Sequence, residues 1–228
     1  MMNPHLFNTL RQNVSVTRRH AQDVLAVIEG TENIGSSIEA IRGKLKNDST
    51  LSDFGRRTGV AELVKSVKMK ELAAASRPVR RALAYARSER EALLNGKIER
   101  PDAVGEMRAQ ETRTFLRSLP PAQRERLARE LCQSPEGSAA VLGVPAFMSG
   151  LDDEAMQRPQ YGLQERLKVE RAETIHGQRL EEIAGVEEDY QLAEQAVAVV
   201  RNELFEASGL SRDGFEQAMA PLEAAADA

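Results

Sequence analysis

The stretch of sequence that decides the fold class is IAGVEEDYQLAEQAVAVVRNEL, residues 183–204. Its apolar side chains recur at alternating spacings of three and four residues through three heptads, which is typical of a helix with one apolar seam. The seam consists of Ile183, Val186, Tyr190, Ala193, Val197, Val200 and Leu204. We predict that a long C-terminal helix, from about Gln160 to about Ala207, uses this seam to form a homo-oligomer or to bind another protein. A third alternative, which the pattern leaves open, is that the seam packs against the N-terminal helices of its own chain.

Towards its N-terminus the pattern of this helix is weaker. If the seam is extended backwards, Arg179 and His176 occupy its positions, and Gly177 and Gly185 each cost roughly 1 kcal/mol of helix propensity. The sequence therefore leaves open whether the helix is continuous across Gly177. After it we expect a last short helix that ends before Pro221.

The N-terminal part of the chain also has helical periodicity. Apolar residues at spacings near three and four predict a helix from Leu6 to Glu29, with Gly30 as its stop. A second, short helix is expected from Ile34 to Leu45. The pattern from Val60 to Leu94 is helical throughout, but its apolar stripe changes side. We predict a kink or a break at Ser76-Arg77-Pro78, since proline removes a backbone donor and clashes with the preceding turn.

Prolines and glycines mark the helix ends further along the chain. Pro101-Asp102 predicts a helix start, and Pro120-Pro121 separates two helices. We divide the chain into a basic-to-neutral helical region at 1–133, a Gly/Pro-rich hinge at 134–159 and an acidic C-terminal region at 160–228. No segment shows the alternation of a strand. The predicted fold class is all-α, an extended multi-helix assembly with a long C-terminal helix that carries the heptads.

The composition is that of a soluble helical protein. Apolar residues make up 41% of the chain and charged residues 29%, which excludes wholesale disorder. Aromatic residues make up only 4%, so the helices have to pack mainly through Leu, Val, Ile and Ala. Cys132 is the single cysteine, and we expect it to be a small buried hydrophobe. Neither a signal peptide nor a membrane-spanning run is recognisable, so we expect a cytoplasmic protein.

Charge is distributed unevenly along the chain. Residues 1–100 carry 18 cationic and 11 acidic side chains, residues 101–150 carry six of each, and residues 151–228 carry seven and 18. The densest basic segment predicts an alternative function, contact with nucleic acid. Its candidate residues are Lys65, Lys68, Arg77, Arg80, Arg81, Arg87 and Arg90. We favour pairing of this segment with the acidic C-terminal part, in the same chain or in another copy, because only Tyr85 is available to stack on bases.

No pattern of catalytic or cofactor-binding residues is recognisable. Glu173 and His176 have a metal-ligand spacing, but the second copy that a di-iron site needs is absent. Asn95-Gly96-Lys97 lacks the first glycine and the final Ser or Thr of a phosphate-binding loop. We predict a non-enzymatic protein without a metal or a cofactor, and we expect the carboxylate runs of the C-terminal helix to be solvated surface.

Two segments in the middle of the chain carry a resemblance to known proteins. They are RTFLRSLPPAQR, residues 113–124, and VLGVPAFMSGL, residues 141–151. In their order of helix, double proline, helix and Pro-Ala-Phe-x-Ser-Gly-Leu turn, they resemble helical proteins encoded among bacteriophage structural and assembly genes. The resemblance implies a virion component or assembly factor, found in the host cytoplasm or the virion, that acts through protein contacts. If the basic segment binds nucleic acid, it implies an internal virion or packaging accessory protein.

Overall fold

The structure is a computed structural model that describes residues 4–96, 98, 101–151 and 162–228. These residues form helices and no strands, which confirms the predicted all-α class and the long helix near the C-terminus. The helices are α1 (Pro4–Asn13), α2 (Ala21–Lys46), α3 (Asp53–Leu63), α4 (Met69–Leu94), α5 (Ala103–Ser118), α6 (Pro121–Leu131), α7 (Pro135–Leu142), α8 (Ala146–Ser149), α9 (Leu163–Ser208) and α10 (Arg212–Asp227). A π-helical turn, Val64–Lys68, joins α3 to α4. The predicted helix start near Gln160 and residues 152–159 of the predicted hinge lie outside the described residues.

The chain divides into two compact units. Unit 1 comprises Met1–Ala86 and Ala184–Ala228, and unit 2 comprises Arg87–Ile183. This division differs from the predicted boundaries at 134 and 160. Composition along a chain reports only local character, whereas unit 1 is formed by two segments that are far apart in sequence. The acidic C-terminal end therefore belongs with the basic N-terminal helices and is not a region of its own.

The core of unit 1 is built from α1, α2, α4, α9 and α10. Its largest fully buried side chains are Phe7, Ile28, Ile38, Met69, Leu72, Leu204, Phe215 and Met219. On each helix the buried positions recur at spacings near three and four, so each helix turns one apolar face towards the centre. Each large side chain buried in this way contributes roughly 1.5–3 kcal/mol to stability.

The prediction of one helix from Leu6 to Glu29 with a stop at Gly30 is wrong. α1 and α2 separate at residues 14–20, and α2 continues through Gly30. A glycine inside a helix costs about 1 kcal/mol, and the apolar side chains that α2 buries on both sides of this position offset that cost. Residues 14–20 leave the helix because Arg18 and His20 bond to α9, a distant contact that local periodicity does not report.

α4 continues as a helix through Pro78, so the predicted break at that position is not present. The apolar stripes of residues 60–67 and 79–94 lie about 120° apart around the helix. The π-helical turn absorbs most of this offset, because its one extra residue rotates the helix surface by about 100°. Pro78 has no N–H to donate to the carbonyl of Ala74. That carbonyl lies on the exposed side of α4, where water can donate to it instead.

Unit 2 contains α5 to α8 together with the ends of α4 and α9. Its core consists of Leu116, Ala128, Cys132, Val141, Leu142, Leu151, Leu163 and Leu167. The described part of the predicted hinge, residues 134–151, is packed structure, because α7 lies against both α5 and α6. An ideal Cβ at Gly137 would lie 2.1 Å from the carbonyl oxygen of Leu131, so this glycine permits close packing. A segment rich in small residues for tight packing has the same amino-acid composition as a flexible hinge, so composition alone could not distinguish the two.

α9 is interrupted by a kink, at which its N-terminal and C-terminal parts meet as two helical segments. The backbone of His176 departs from helical geometry, with φ −125° and ψ 19°. The kink adjoins Gly177, the position at which the sequence leaves the continuity of the helix open. A Cβ at Gly177 would meet no atom within 4 Å, so no neighbouring group requires a glycine there.

The thiol of Cys132 is buried in unit 2, and burial raises its pKa to about 11. The thiolate is the form that reacts. Raising the pKa of the thiol by about 2 lowers the fraction of thiolate roughly 100-fold. Iodoacetamide at about pH 8 is therefore expected to label the folded protein at least about 100-fold more slowly than the urea-unfolded protein. Mass spectrometry of timed samples measures both rates. Equal rates would show that the thiol is accessible in the folded chain.

Candidate functional site

The α9 seam, to which the sequence assigns a partner contact, faces the interior of unit 1. Four of its members are buried in the core of this unit: Tyr190, Ala193, Val200 and Leu204. Val186 and Val197 are half-buried and pack against that core. Ile183, the remaining member, is buried at the end of unit 2. The seam therefore packs against the helices of its own chain, the third alternative, and its assignment as an oligomerisation surface is corrected.

A cluster of charged side chains around the buried carboxylate of Asp189, the Asp189 cluster, links the α1–α2 connection to α9. Arg18 Nη1 donates to Asp189 Oδ1 at 2.8 Å, and Arg18 Nη2 donates to Glu188 Oε2 at 2.7 Å. His20 Nε2 lies 2.9 Å from the second oxygen of Asp189, and its ring stacks on Tyr190. The side chain of Asp189 is 1% exposed, so the prediction that these carboxylates are solvated surface is wrong for this residue. The sequence signal that could have indicated the burial of Asp189 is its position directly before Tyr190, a residue of the seam.

Two arginines of the basic segment form hydrogen bonds with a residue near the C-terminus of the chain. Arg80 donates to both carboxylate oxygens of Asp227, at 2.9 and 3.1 Å, and Arg81 donates to the Asp227 carbonyl. The hydrogen bonds from Arg80, with smaller contributions from the charges of Arg81 and Arg77, lower the pKa of the Asp227 carboxyl. The pairing with the acidic end that we favour from the sequence thus occurs within one molecule.

The other cations of the segment behave differently. Lys68 forms an ion pair with Glu71 at 2.7 Å. Lys65 is exposed in the π-helical turn, while Arg87 and Arg90 are exposed and belong to unit 2. The structure therefore gives the predicted nucleic-acid residues unlike surroundings, and their contact with nucleic acid stays a prediction.

An exposed apolar face on α5 is a further candidate, which helical periodicity alone would assign to the core. α5 buries Ala109, Arg113 and Leu116 on one side. On the other side Val104, Met107 and Phe115 are more than half exposed. A shallow groove of about 510 Å³ runs along this side, and its walls are Met107, Gln110, Glu111, Thr114, Phe115 and Ser118. We call Val104, Met107, Glu111, Phe115 and Ser118 the α5 face.

The few aromatic residues of unit 2 distinguish this surface. Phe115 and Phe147 are the aromatic residues among those that the structure describes in unit 2, and they are 57% and 63% exposed. Phe147 belongs to α8, which packs against α5. Aromatic side chains are enriched in protein interfaces and dominate their binding energy. A unit that keeps such side chains outside an aliphatic core has a surface suited to another apolar surface.

Two other classes of site find no support in the described part of the chain. Within residues 4–96, 98, 101–151 and 162–228, no three His, Cys, Asp or Glu side chains come together as a metal ion would require. None of the helices in those ranges combines the length and the apolar composition that crossing a bilayer demands.

Comparison of the chain with protein-family models, with curated proteins and with solved structures gave no match in any of the three. The candidate surfaces are therefore judged by their own geometry and chemistry. Of the surfaces described above, the α5 face is the one that presents large apolar side chains to solvent as a group.

Proposed function

We propose that this chain is a non-enzymatic helical assembly protein that binds a second copy of itself through the α5 face and the exposed Phe147 of α8, a helix that packs against α5. The observation that carries the proposal is the exposure of Phe115 and Phe147 in a chain with few aromatic residues. The predicted contact between proteins is retained, but its location moves from the α9 seam to α5. The seam is unsuitable because the core of unit 1 already uses it.

The spacing of the α5 face supports a second copy as the occupant. Its residues follow one another at three, four, four and three positions, so two α5 helices can pack side by side with interlocking side chains. Residues 101–150 carry six cations and six carboxylates, so this segment has no net charge, and Glu111 is the one charged member of the α5 face. A twofold contact needs only one surface that is complementary to itself. A face of this small size suits a reversible contact rather than a permanent one.

Sedimentation velocity of the full chain tests the proposal. The wild-type protein is expected to form a dimer whose fraction falls over about a hundredfold dilution. Phe115→Asp is expected to raise the dissociation constant at least about tenfold, because it removes the aromatic side chain of the α5 face and puts a charge in its place. Phe147→Asp should act in the same direction.

Phe54→Asp is the matched control, because Phe54 is 78% exposed but belongs to unit 1, outside the α5 face. It is expected to leave the dimer unchanged. Circular dichroism checks that each variant keeps its helices. A wild-type protein that is monomeric at every concentration would contradict the proposal, and so would an equal effect of the control.

The biological setting of such an assembly rests on the resemblance to bacteriophage proteins and stays a prediction. The two segments that carry the resemblance, residues 113–124 and 141–151, include both exposed phenylalanines of unit 2. The resemblance and the α5 face therefore concern the same part of the chain. The alternative function, nucleic-acid contact through residues 65–90, has less support, because Arg80 and Arg81 bond to Asp227.

A further inference from the structure

A groove of about 600 Å³ lies in unit 1, between the end of α2, the first turns of α3 and the end of α9. Four cationic side chains line it: Arg42, Lys46, Arg56 and Arg57. The carboxylates of Asp53 and Glu206 line it as well, so four positive and two negative groups leave a formal charge of +2. Leu45 and Val60 add apolar surface. The volume of the groove is within the range of small-molecule sites.

Two of the four cations are held by groups of the protein. Arg42 Nη1 donates to Glu203 Oε2 at 3.0 Å. Arg56 Nη2 donates to the carbonyl oxygen of Asp48 at 2.9 Å, and its Nη1 donates to Asp53 at 3.3 Å. The Nε atom of Arg56 is buried and has no hydrogen-bond partner among the described residues. Arg56 therefore keeps one donor that the folded chain leaves unused.

The other two cations, Lys46 and Arg57, are exposed and form no hydrogen bond or ion pair with any described residue. Lys46 lies in the last turn of α2, where the helix dipole favours a cation. Arg57 is the fifth residue of α3, near the end at which the dipole favours anions. Stabilisation of a helix end therefore accounts for Lys46 but not for Arg57.

We propose that this groove binds a phosphate monoester that carries an apolar group. A phosphate monoester has a charge of about −1.5 to −2 at neutral pH, and Lys46 and Arg57 together offer it two positive charges. Arg57 and Lys46 bind the phosphate oxygens, and the planar fork of the arginine suits their geometry. Leu45 and Val60 contact the apolar group. This site lies in unit 1 and is independent of the proposed self-association through α5.

Calorimetric titration of the full chain with phenyl phosphate and with inorganic phosphate tests this site. Phenyl phosphate is expected to bind saturably, about tenfold more tightly than inorganic phosphate, because the phenyl ring buries apolar area. The double substitution Lys46→Gln and Arg57→Gln is expected to weaken the binding of phenyl phosphate at least about tenfold. No saturable binding, or equal affinity for the two probes, would overturn the proposal.

The matched control is the double substitution Arg19→Gln and Lys70→Gln, which removes the same charge from an exposed arginine and an exposed lysine of unit 1 outside the groove. It is expected to leave binding unchanged, and an equal loss would reveal a general charge effect and overturn the site. A short single-stranded oligonucleotide provides a second comparison. If it bound more tightly than phenyl phosphate, with steep salt dependence and loss in the groove variant, the groove would belong to nucleic acid and the proposal would be overturned. Thermal melting without ligand checks that all variants fold.

Discussion

Leu204→Ala is expected to lower the free energy of unfolding by about 3 kcal/mol, because it removes a fully buried side chain and leaves a cavity between α9 and its neighbours. The residue belongs to the heptad seam, so the size of the effect separates two roles for that seam. In a core, the loss appears as reduced stability at every protein concentration. In an interface between copies, it would appear as weaker association. Urea unfolding followed by circular dichroism, at low and high protein concentration, measures the difference.

Leu63→Ala is the matched control for this prediction. It makes the same change at a residue of α3 that is 41% exposed, so the expected loss is below about 1 kcal/mol. Amide hydrogen exchange in α9 should accelerate in Leu204→Ala and stay unchanged in the control. If Leu204→Ala altered the dimer fraction while the free energy of unfolding stayed constant, the placement of the seam in the core would be contradicted.

Arg18→Ala is expected to have an effect of similar size, about 3 kcal/mol, since it leaves the Asp189 carboxylate buried with His20 as its remaining partner. The cost comes from the uncompensated charge rather than from the lost contact. Adding Asp189→Asn to this variant is therefore expected to restore at least about 1 kcal/mol. Urea unfolding of the wild type, both single variants and the double variant completes the cycle.

Arg126→Ala provides the control for the loss of an arginine as such. Its ion pair with Glu130 is exposed, with 83% of the Arg126 side chain open to solvent. Such pairs contribute at most about 1 kcal/mol. If the effects of Arg18→Ala and Asp189→Asn were simply additive, the two side chains would not be coupled, and the Asp189 cluster would have no role in fastening the α1–α2 connection.

Sequence patterns located the helices better than they located the surfaces. The helices that start at Ala103, at Pro121 and near Arg212 follow signals that are local: an Asp102 cap, a proline in the first turn and a Ser211 cap. The sequence also showed the angular offset between the apolar stripes on the two sides of Val64–Lys68. A π-helical turn and a kink at Pro78 explain this offset equally well. Only the packed structure distinguishes them.

The position of the functional surface could not be read from periodicity. An apolar stripe on a helix has the same pattern whether it faces a core, as at Leu204, or solvent, as at Phe115. α5 carries a stripe on each side of the helix, and contact with α7 decides which of them is buried. The groove lined by Arg57 likewise combines two neighbouring elements, the end of α2 and α3, with the end of α9, which is remote from them in sequence.

By itself, the sequence determined the all-α class, the heptad-bearing C-terminal helix and the uneven distribution of charge, because each of these depends on residues a few positions apart. The tertiary structure decided which apolar stripe is core and which is surface, and that the acidic end pairs with basic residues of its own chain. It also decided that Asp189 is buried, whereas Lys46 and Arg57 have no ion-pair partner among the described residues. The burial of Asp189 and the pairing of the acidic end depend on contacts between segments more than 100 residues apart, and no local pattern encodes such contacts.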